Sequence, residues 1–227
     1  MLISEIFKSI QGEGVNVGVV SLFIRVAGCN IGEKCPLPCD TKYAWDSKYK
    51  DEWKEMSVEE IVKIIKDSKV RNIIFTGGEP GLYADEIFKI INEFVAVSDV
   101  NKLLNNSYSF EIETNGYEKL RFLYPYFDIV TISPKIGFVN EKYLAEVKDL
   151  PNVYFKFVVR DKKDFEYWKS LVKKLKIDEK KVYMMPEGTT DEEIKKKAEW
   201  LVEECIKNNF NFSPRLQIWL WGNKRGR

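Results

Sequence analysis

The chain has 227 residues, 44% of them hydrophobic and 14% aromatic, which is enough apolar surface for one sizeable core and argues against global disorder. Its 36 basic residues nearly cancel 35 acidic ones, so no broad positive field exists to hold a phosphate backbone, and a dedicated nucleic-acid binder is disfavoured. No apolar run nears the roughly 20 residues of a membrane span, and Met1-Leu2-Ile3-Ser4-Glu5 lacks signal-peptide organisation; a cytoplasmic protein without membrane or nucleic-acid partners is expected. In that reducing setting the four cysteines read as metal ligands or core residues rather than disulfides. The absence of histidine removes serine–histidine and cysteine–histidine nucleophile schemes and the usual nitrogen-rich zinc sites.

In chain order, Ser21 to Ala27 is the first strand expected, followed by a turn-rich segment carrying Cys29, Cys35 and Cys39. Ser57-Val58-Glu59-Glu60 is a capping box that opens a helix with Ile61, Val62, Ile64 and Ile65 on one face. Arg71 to Thr76 reads as a buried strand bounded by Gly77-Gly78, and residues 84 to 97 as a helix. Strands are expected over Tyr108 to Thr114, Asp128 to Ser133, Val153 to Val159 and Lys181 to Met185, with a helix over residues 163 to 175. A second capping box, Thr190-Asp191-Glu192-Glu193, opens a helix bearing Ile194, Ala198, Leu201, Val202 and Cys205 at helical spacing. Leu216 to Trp221 reads as a closing C-terminal strand.

Alternation of strands and helices predicts an α/β fold. The expected architecture is a partial (β/α) barrel of about six parallel strands with outer helices, plus that last strand. Neither a repeat nor a linker interrupts the chain, so a single domain over residues 1 to 227 is expected. In such sheets functional groups gather at the carboxyl edge, which is where several unusual motifs fall.

Three thiolates as close as Cys29, Cys35 and Cys39 can ligate three irons of a cubane cluster and leave the fourth open. On spacing alone a zinc knuckle or a redox pair also fits. Structural zinc wants four ligands, however, and Cys205 belongs to an apolar helix face, as free cysteines often do. Thr76-Gly77-Gly78-Glu79-Pro80 ends the second expected strand, where glycines let backbone approach a ligand and offer carbonyls to an ammonium group. Glu113-Thr114-Asn115-Gly116, Ser133-Pro134-Lys135 and Met185-Pro186-Glu187-Gly188 end three later strands. Gln11-Gly12-Glu13-Gly14 precedes the first, and its carboxylate can accept from the N–H groups of a ring. Arg25, in Phe23-Ile24-Arg25, offers a planar fork for a carboxylate.

Phe23-Ile24-Arg25-Val26-Ala27-Gly28-Cys29 and Cys39-Asp40-Thr41-Lys42-Tyr43-Ala44-Trp45-Asp46 resemble the radical S-adenosylmethionine superfamily. From Gln11-Gly12-Glu13-Gly14 to Trp221-Gly222-Asn223-Lys224-Arg225-Gly226 the chain resembles, more narrowly, the 7-carboxy-7-deazaguanine synthases of queuosine and archaeosine biosynthesis. The resemblance implies a lyase that converts 6-carboxy-5,6,7,8-tetrahydropterin to 7-carboxy-7-deazaguanine with loss of ammonia. It implies a [4Fe-4S] cluster on Cys29, Cys35 and Cys39, S-adenosylmethionine, and Mg2+ on Thr41. The cofactor would meet Pro38, Asp40, Tyr43, Gly78, Glu79, Glu113, Ser133, Lys135, Met185, Pro186 and Glu187. The pterin substrate would meet Ile10, Gln11, Gly12, Glu13, Gly14, Arg25, Thr76, Gln217 and Arg227. A homodimer and an electron donor such as flavodoxin or ferredoxin are implied as well.

Two departures stand out. Five residues separate Cys29 from Cys35 and three separate Cys35 from Cys39, longer gaps than the superfamily usually shows, and Pro38 replaces the aromatic residue usual before the third cysteine. Gln217 stands where relatives commonly carry histidine; it can donate and accept a hydrogen bond but cannot become a cation. Two other readings compete: a glycyl-radical-enzyme activase of the same superfamily, which would not need Thr41, Arg25 or Gln-Gly-Glu-Gly, and a non-catalytic metal-binding module. Lys224, Arg225 and Arg227 read otherwise as a solvated basic tail.

Overall fold

The computed structural model describes residues 1–101, 108–117 and 120–227. Its centre is a nine-stranded sheet in the order β3-β1-β2-β4-β5-β6-β7-β8-β9. The strands are β1 (Leu2–Ile10), β2 (Val20–Val26), β3 (Lys54–Glu55), β4 (Asn72–Gly77), β5 (Ser109–Thr114), β6 (Ile129–Ile132), β7 (Val153–Val159), β8 (Val182–Pro186) and β9 (Asn211–Phe212). From β2 onward every neighbouring pair is parallel, whereas β1 runs antiparallel to both β2 and β3. The first and last strands do not pair, so the sheet is curled but open.

The helices are α1 (Val58–Ser68), α2 (Ala84–Asn101), α3 (Glu141–Val147), α4 (Lys162–Leu175), α5 (Asp191–Asn208) and α6 (Leu216–Trp221). Both expected capping boxes form: Ser57 and Glu60 cap α1, and Thr190 and Glu193 cap α5, each pair exchanging side-chain and backbone bonds. No helix is long and apolar enough to cross a membrane among the described residues.

The period of two along a strand divides the sheet into two unlike faces. Ile24, Val26, Ile73, Phe75, Ile112, Val130, Ile132, Phe155, Phe157 and Val159 face outward into one continuous core with the helices. Trp168 of α4 is fully buried there, and its Nε1 donates to the Val158 carbonyl at 2.9 Å. The residues between them, among them Arg25, Thr76, Glu113, Ser133 and Lys156, turn to the concave face. That face carries the charged and hydroxyl side chains among apolar ones such as Phe23 and Val158, and it is where the site forms.

One expectation fails: Leu216–Trp221 is the short helix α6, not a strand. A six-residue apolar run has no resolvable period, and three local features decide it. β9 already occupies the edge beside β8, Pro214 has no N–H to extend a ladder, and the Arg215 carbonyl accepts from the N–H groups of Ile218 and Trp219. Three strands and a helix went unread in the sequence. In β1 a bulge between Ile3 and Glu5 breaks the alternation; β3 and β9 have two residues each, and α3 has seven.

The segment between β1 and β2 lies across the open side of the sheet. Its Gly12 carbonyl accepts from Leu216 N at 2.9 Å, Gly14 N donates to Ser213 Oγ at 2.8 Å, and Asn16 Nδ2 reaches Glu111 Oε1 at 2.6 Å. It thereby joins the beginning of the chain to the end and forms a wall where strand pairing is missing. Ser213 is fully buried, so Ser213→Ala should leave the Gly14 N–H unpaired. The expected cost is about 1–2 kcal/mol, read as a lower urea midpoint with unchanged m; a loss below about 0.3 kcal/mol would mean this bond does not hold the wall.

Candidate active site

A cavity of about 280 Å³ opens at the carboxyl edge of the parallel strands and runs down the concave face. The cysteine loop lines it with Cys29, Cys35, Pro38, Cys39, Asp40 and Thr41. Strand ends contribute Arg25, Thr76, Gly78, Glu113, Ser133 and Lys135, then Met185 and Glu187. The crossing segment adds Ile10, Gln11, Gly12 and Glu13, and the chain end adds Gln217 and Arg227. Four residues expected at the site are not in this lining. Gly14 and Pro186 lie outside it, Glu79 turns inward, and Tyr43 borders an adjoining chamber under the C-terminal tail.

The cysteine loop leaves β2 through Gly28, whose N–H donates to the Ala44 carbonyl at 2.7 Å. A short 3-10 turn, Gly32–Lys34, separates Cys29 from Cys35. Burial pushes the Cys29 thiol up, while the N–H groups of Gly32 and Ile31 aimed at its sulfur act the other way. Cys39 Sγ accepts from Trp45 Nε1 at 3.2 Å and lies 3.5 Å from Thr41 Oγ1. Donors pointed at sulfurs are what a thiolate-held cluster uses to disperse charge. Among the described residues no three cysteine, aspartate or glutamate side chains are set round a single metal ion. A cubane makes a different demand, since each thiolate takes its own iron. Three thiolates on one loop, with donors at the Cys29 and Cys39 sulfurs, fit that group, and Cys205 remains in the core, 2% exposed.

Close backbone packing sets the glycine pair. A Cβ on Gly78 would stand 1.8 Å from the Gly28 carbonyl oxygen, so only glycine brings the end of β4 against the residue before Cys29. The Glu79 side chain is 1% exposed. Its carboxylate accepts from Thr114 Oγ1 at 2.6 Å, Asn115 N at 2.8 Å and Gly81 N at 3.0 Å. It ties β4 to β5 and leaves only its backbone to a ligand. Asn115 in turn donates to Asn30 Oδ1 at 2.7 Å, which anchors the cysteine loop to the same edge. Lys135 Nζ donates to the Ser133 carbonyl and hydroxyl at 2.7 and 2.8 Å.

Deeper in the cavity lies a connected array of charges. Glu13 Oε2 accepts from Lys156 Nζ at 2.7 Å, and its Oε1 accepts from Gln217 Nε2 at 2.7 Å and Arg215 Nε at 3.0 Å. Burial alone would push the Glu13 carboxyl up, but Lys156 and Arg215 outweigh it and hold it well below the usual range. Glu113 accepts from Thr76 Oγ1 at 2.9 Å, Lys156 Nζ at 3.2 Å and Gln11 Nε2 at 3.4 Å. Arg215 also donates to Asp40 and to the Gly188 carbonyl, so one guanidinium joins Glu13, the cysteine loop and the turn after β8. Gln217 is pressed against Gly12, where a Cβ would stand 1.8 Å from its Oε1.

Arg25 Nε donates to Glu5 Oε1 at 2.8 Å, and Tyr43 Oη donates to the same oxygen at 2.8 Å. The Arg25 guanidinium lies between the Phe7 and Tyr43 rings, 5.8 and 5.9 Å from their centroids. The tail is not wholly solvated, because Arg225 stacks 3.9 Å from the Tyr43 ring centroid and pairs with Glu52 at 2.6 Å.

Lys156 and Arg215 are the residues that sequence reasoning missed. Lys156 is a lone charge inside the apolar run Val153–Val159, and an ammonium in a buried strand requires a partner. That was a usable signal. Arg215 carried none, since the contacts that define it come from Glu13 and Asp40, far away in the chain.

Residues 27–201 match the model of the radical S-adenosylmethionine (Radical SAM) superfamily. The chain is 34% identical to the 7-carboxy-7-deazaguanine synthase of Pyrobaculum aerophilum, covering 98% of this chain and 96% of that one. It is 32% identical to the enzyme of the same name from Buchnera aphidicola, covering 96% and 97%. Among solved structures it is similar to the crystal structure of QueE from Escherichia coli, with a TM-score of 0.68 and 27% identity over 93% of this chain and 92% of that one.

Burial raises the Glu79 carboxyl above its ordinary value of 4.5, against the opposing bonds from Thr114, Asn115 and Gly81. An acid that binds its proton more tightly when folded makes the protein lose stability as pH rises from the unfolded value to the folded one. Glu79→Gln should therefore flatten the decline in unfolding free energy above about pH 4.5. It should also cost about 1–3 kcal/mol at neutral pH, because an amide N–H2 then faces a donor. Urea melts across that range test this; an identical pH slope in the variant would contradict it.

Proposed function

The chain belongs to the radical S-adenosylmethionine superfamily and, within it, to the 7-carboxy-7-deazaguanine synthases, and from that premise we propose how its cavity performs the reaction. The substrate is 6-carboxy-5,6,7,8-tetrahydropterin, the product 7-carboxy-7-deazaguanine, and ammonia is lost. The observation that carries the reading is one cavity lined by three cysteines at its rim and by an ionised, cation-held carboxylate at its base.

Cys29, Cys35 and Cys39 would hold the [4Fe-4S] cluster, with S-adenosylmethionine against Gly78, Ser133, Lys135 and Glu187. When bound, these groups supply the one-electron hydrogen abstraction that begins the ring contraction. Everything else falls to the chain's own side chains. Glu13 accepts from an N–H group of the pterin ring, and Gln217 keeps its carboxylate turned to the cavity through the Nε2 bond at 2.7 Å. A glutamine does this without titrating, so the position orients Glu13 and moves no proton here. Only Nε of Arg25 is used by Glu5, which leaves its terminal nitrogens for the substrate carboxylate. Thr41 offers Mg2+ a hard hydroxyl oxygen beside Cys39, while Asp40 is engaged by Arg215 and steadies that stretch. The tail from Gly222 to Arg227 covers the adjoining chamber and limits access of water.

The remaining expectations belong to the same proposal: a single domain, a flavodoxin- or ferredoxin-like electron donor, and a homodimer. The exposed Trp219, Leu220 and Trp221 are the apolar surface a second copy would cover. The comparisons favour the synthase over an activase or a non-catalytic metal module.

Anaerobic reconstitution with iron and sulfide, followed by reductant, S-adenosylmethionine, Mg2+ and carboxypterin, should yield the deazapurine. Formation of 5′-deoxyadenosine without deazapurine would keep the cofactor assignment and overturn the substrate.

A further inference from the structure

Lys156 is the fourth residue of β7, between Phe155 and Phe157, and is 6% exposed. The period of two turns it to the concave face while its neighbours enter the core. Its ammonium is 2.7 Å from Glu13 Oε2 and 3.2 Å from Glu113 Oε1. These two carboxylates reach it from separate parts of the chain, the segment after β1 and the end of β5. Burial alone would lower the lysine's pKa, but Glu113 and Glu13 outweigh it and keep the group charged.

Two carboxylates sharing one desolvated cation depend on it. Without this cation only Arg215, which pairs with Glu13, offsets two like charges so close in a low dielectric, and the upper pKa of the pair rises. The other groups facing the pair do not replace Lys156. Of the pair, Arg215 and Gln217 meet Glu13 alone, and Thr76 and Gln11 bring neutral donors to Glu113. Glu111, two residues earlier on β5, adds a further carboxylate beside Glu113 and is held by Asn16 and Asn72, and Asp40 draws on Arg215. Lys135, at the end of β6, bonds Ser133 instead.

We propose that Lys156 is a positioning residue: its ammonium bridges Glu13 and Glu113 and fixes them as one two-carboxylate acceptor for the N–H-rich edge of the pterin. The hydrogen-bond inventory agrees. Glu13 has about four acceptor sites, and three are taken by Lys156, Arg215 and Gln217. One remains, and the same ammonium points Glu113 into the same cavity. Glu113 thus joins the substrate side rather than the cofactor ribose. The inference deepens the pterin reading above and rests on it.

The test is anaerobic calorimetry on the reconstituted protein without reductant, titrating carboxypterin and, separately, S-adenosylmethionine from about pH 6 to about pH 9. Variants are Lys156→Met, Lys156→Arg and Glu113→Gln/Lys156→Met. In Lys156→Met, pterin binding should weaken about tenfold or more at the acid end and recover as pH rises, because deprotonation restores the acceptor. Lys156→Arg should restore the flat wild-type profile. The double variant leaves no competing pair, so its profile should be flat, and it decides the matter even if Lys156→Met folds poorly. S-adenosylmethionine binding should stay within about twofold throughout. Pterin binding by Lys156→Met that matches wild type at every pH would overturn the proposal, as would a pH-independent loss shared with S-adenosylmethionine or a pH-dependent double variant. Failure of wild type to bind carboxypterin while binding S-adenosylmethionine would instead overturn the substrate reading.

Discussion

A carboxylate removed from water needs its partners from the protein, and Glu13 receives two counter-charges and one neutral donor from three separate stretches of chain. Lys156 comes from β7, Arg215 from the turn after β9, and Gln217 from α6. Leaving any of these charges buried and unpaired would be costly, so the array holds only if the whole sheet is assembled. The same bonds specify the site. Arg215 carries the linkage on to Asp40 beside Cys39, and Lys156 carries it to Glu113, so the expected cluster and substrate ends of the cavity are parts of one network.

The open sheet makes that network possible. A closed barrel of this strand number would fill its interior with side chains. Here the first and last strands do not meet, and the segment carrying Gln11, Gly12 and Glu13 occupies the gap, tied to Ser213 and Leu216. Gly12 is needed because Gln217 lies where any side chain would be. The helices pack on the apolar outer face, which leaves the concave face free to carry Arg25, Glu113 and Lys156. Stability and chemistry are thus carried by alternate residues of the same strands.

Much of this was legible in the chain itself. The longer parallel strands, β2 and β4 to β8, were readable because they alternate with helical or turn-rich segments, and the capping boxes marked two helix starts within a residue. The cysteine loop and the glycine pair stood out because each needs unusual local chemistry. The C-terminal run misled because Leu216–Trp221 has no period, and its helix depends on β9 and Pro214 having already ended the sheet. β1 was hidden by its bulge. Arg215 and the partnership of Glu113 with Lys156 are long-range facts, fixed by residues more than forty positions away. Glu79 shows the converse: its motif was legible, but the carboxylate spends itself on Thr114 and Asn115.

The central claim is that substrate recognition turns on the ionised carboxylate of Glu13, while the cofactor is held at the rim by other groups. Calorimetric titration of reconstituted Glu13→Gln with carboxypterin and with S-adenosylmethionine addresses it most directly. The account predicts pterin binding weakened by about a hundredfold, the loss of charged hydrogen bonds, with S-adenosylmethionine binding unchanged within about twofold. Equal loss of both ligands, or a pterin affinity like that of wild type, would contradict it.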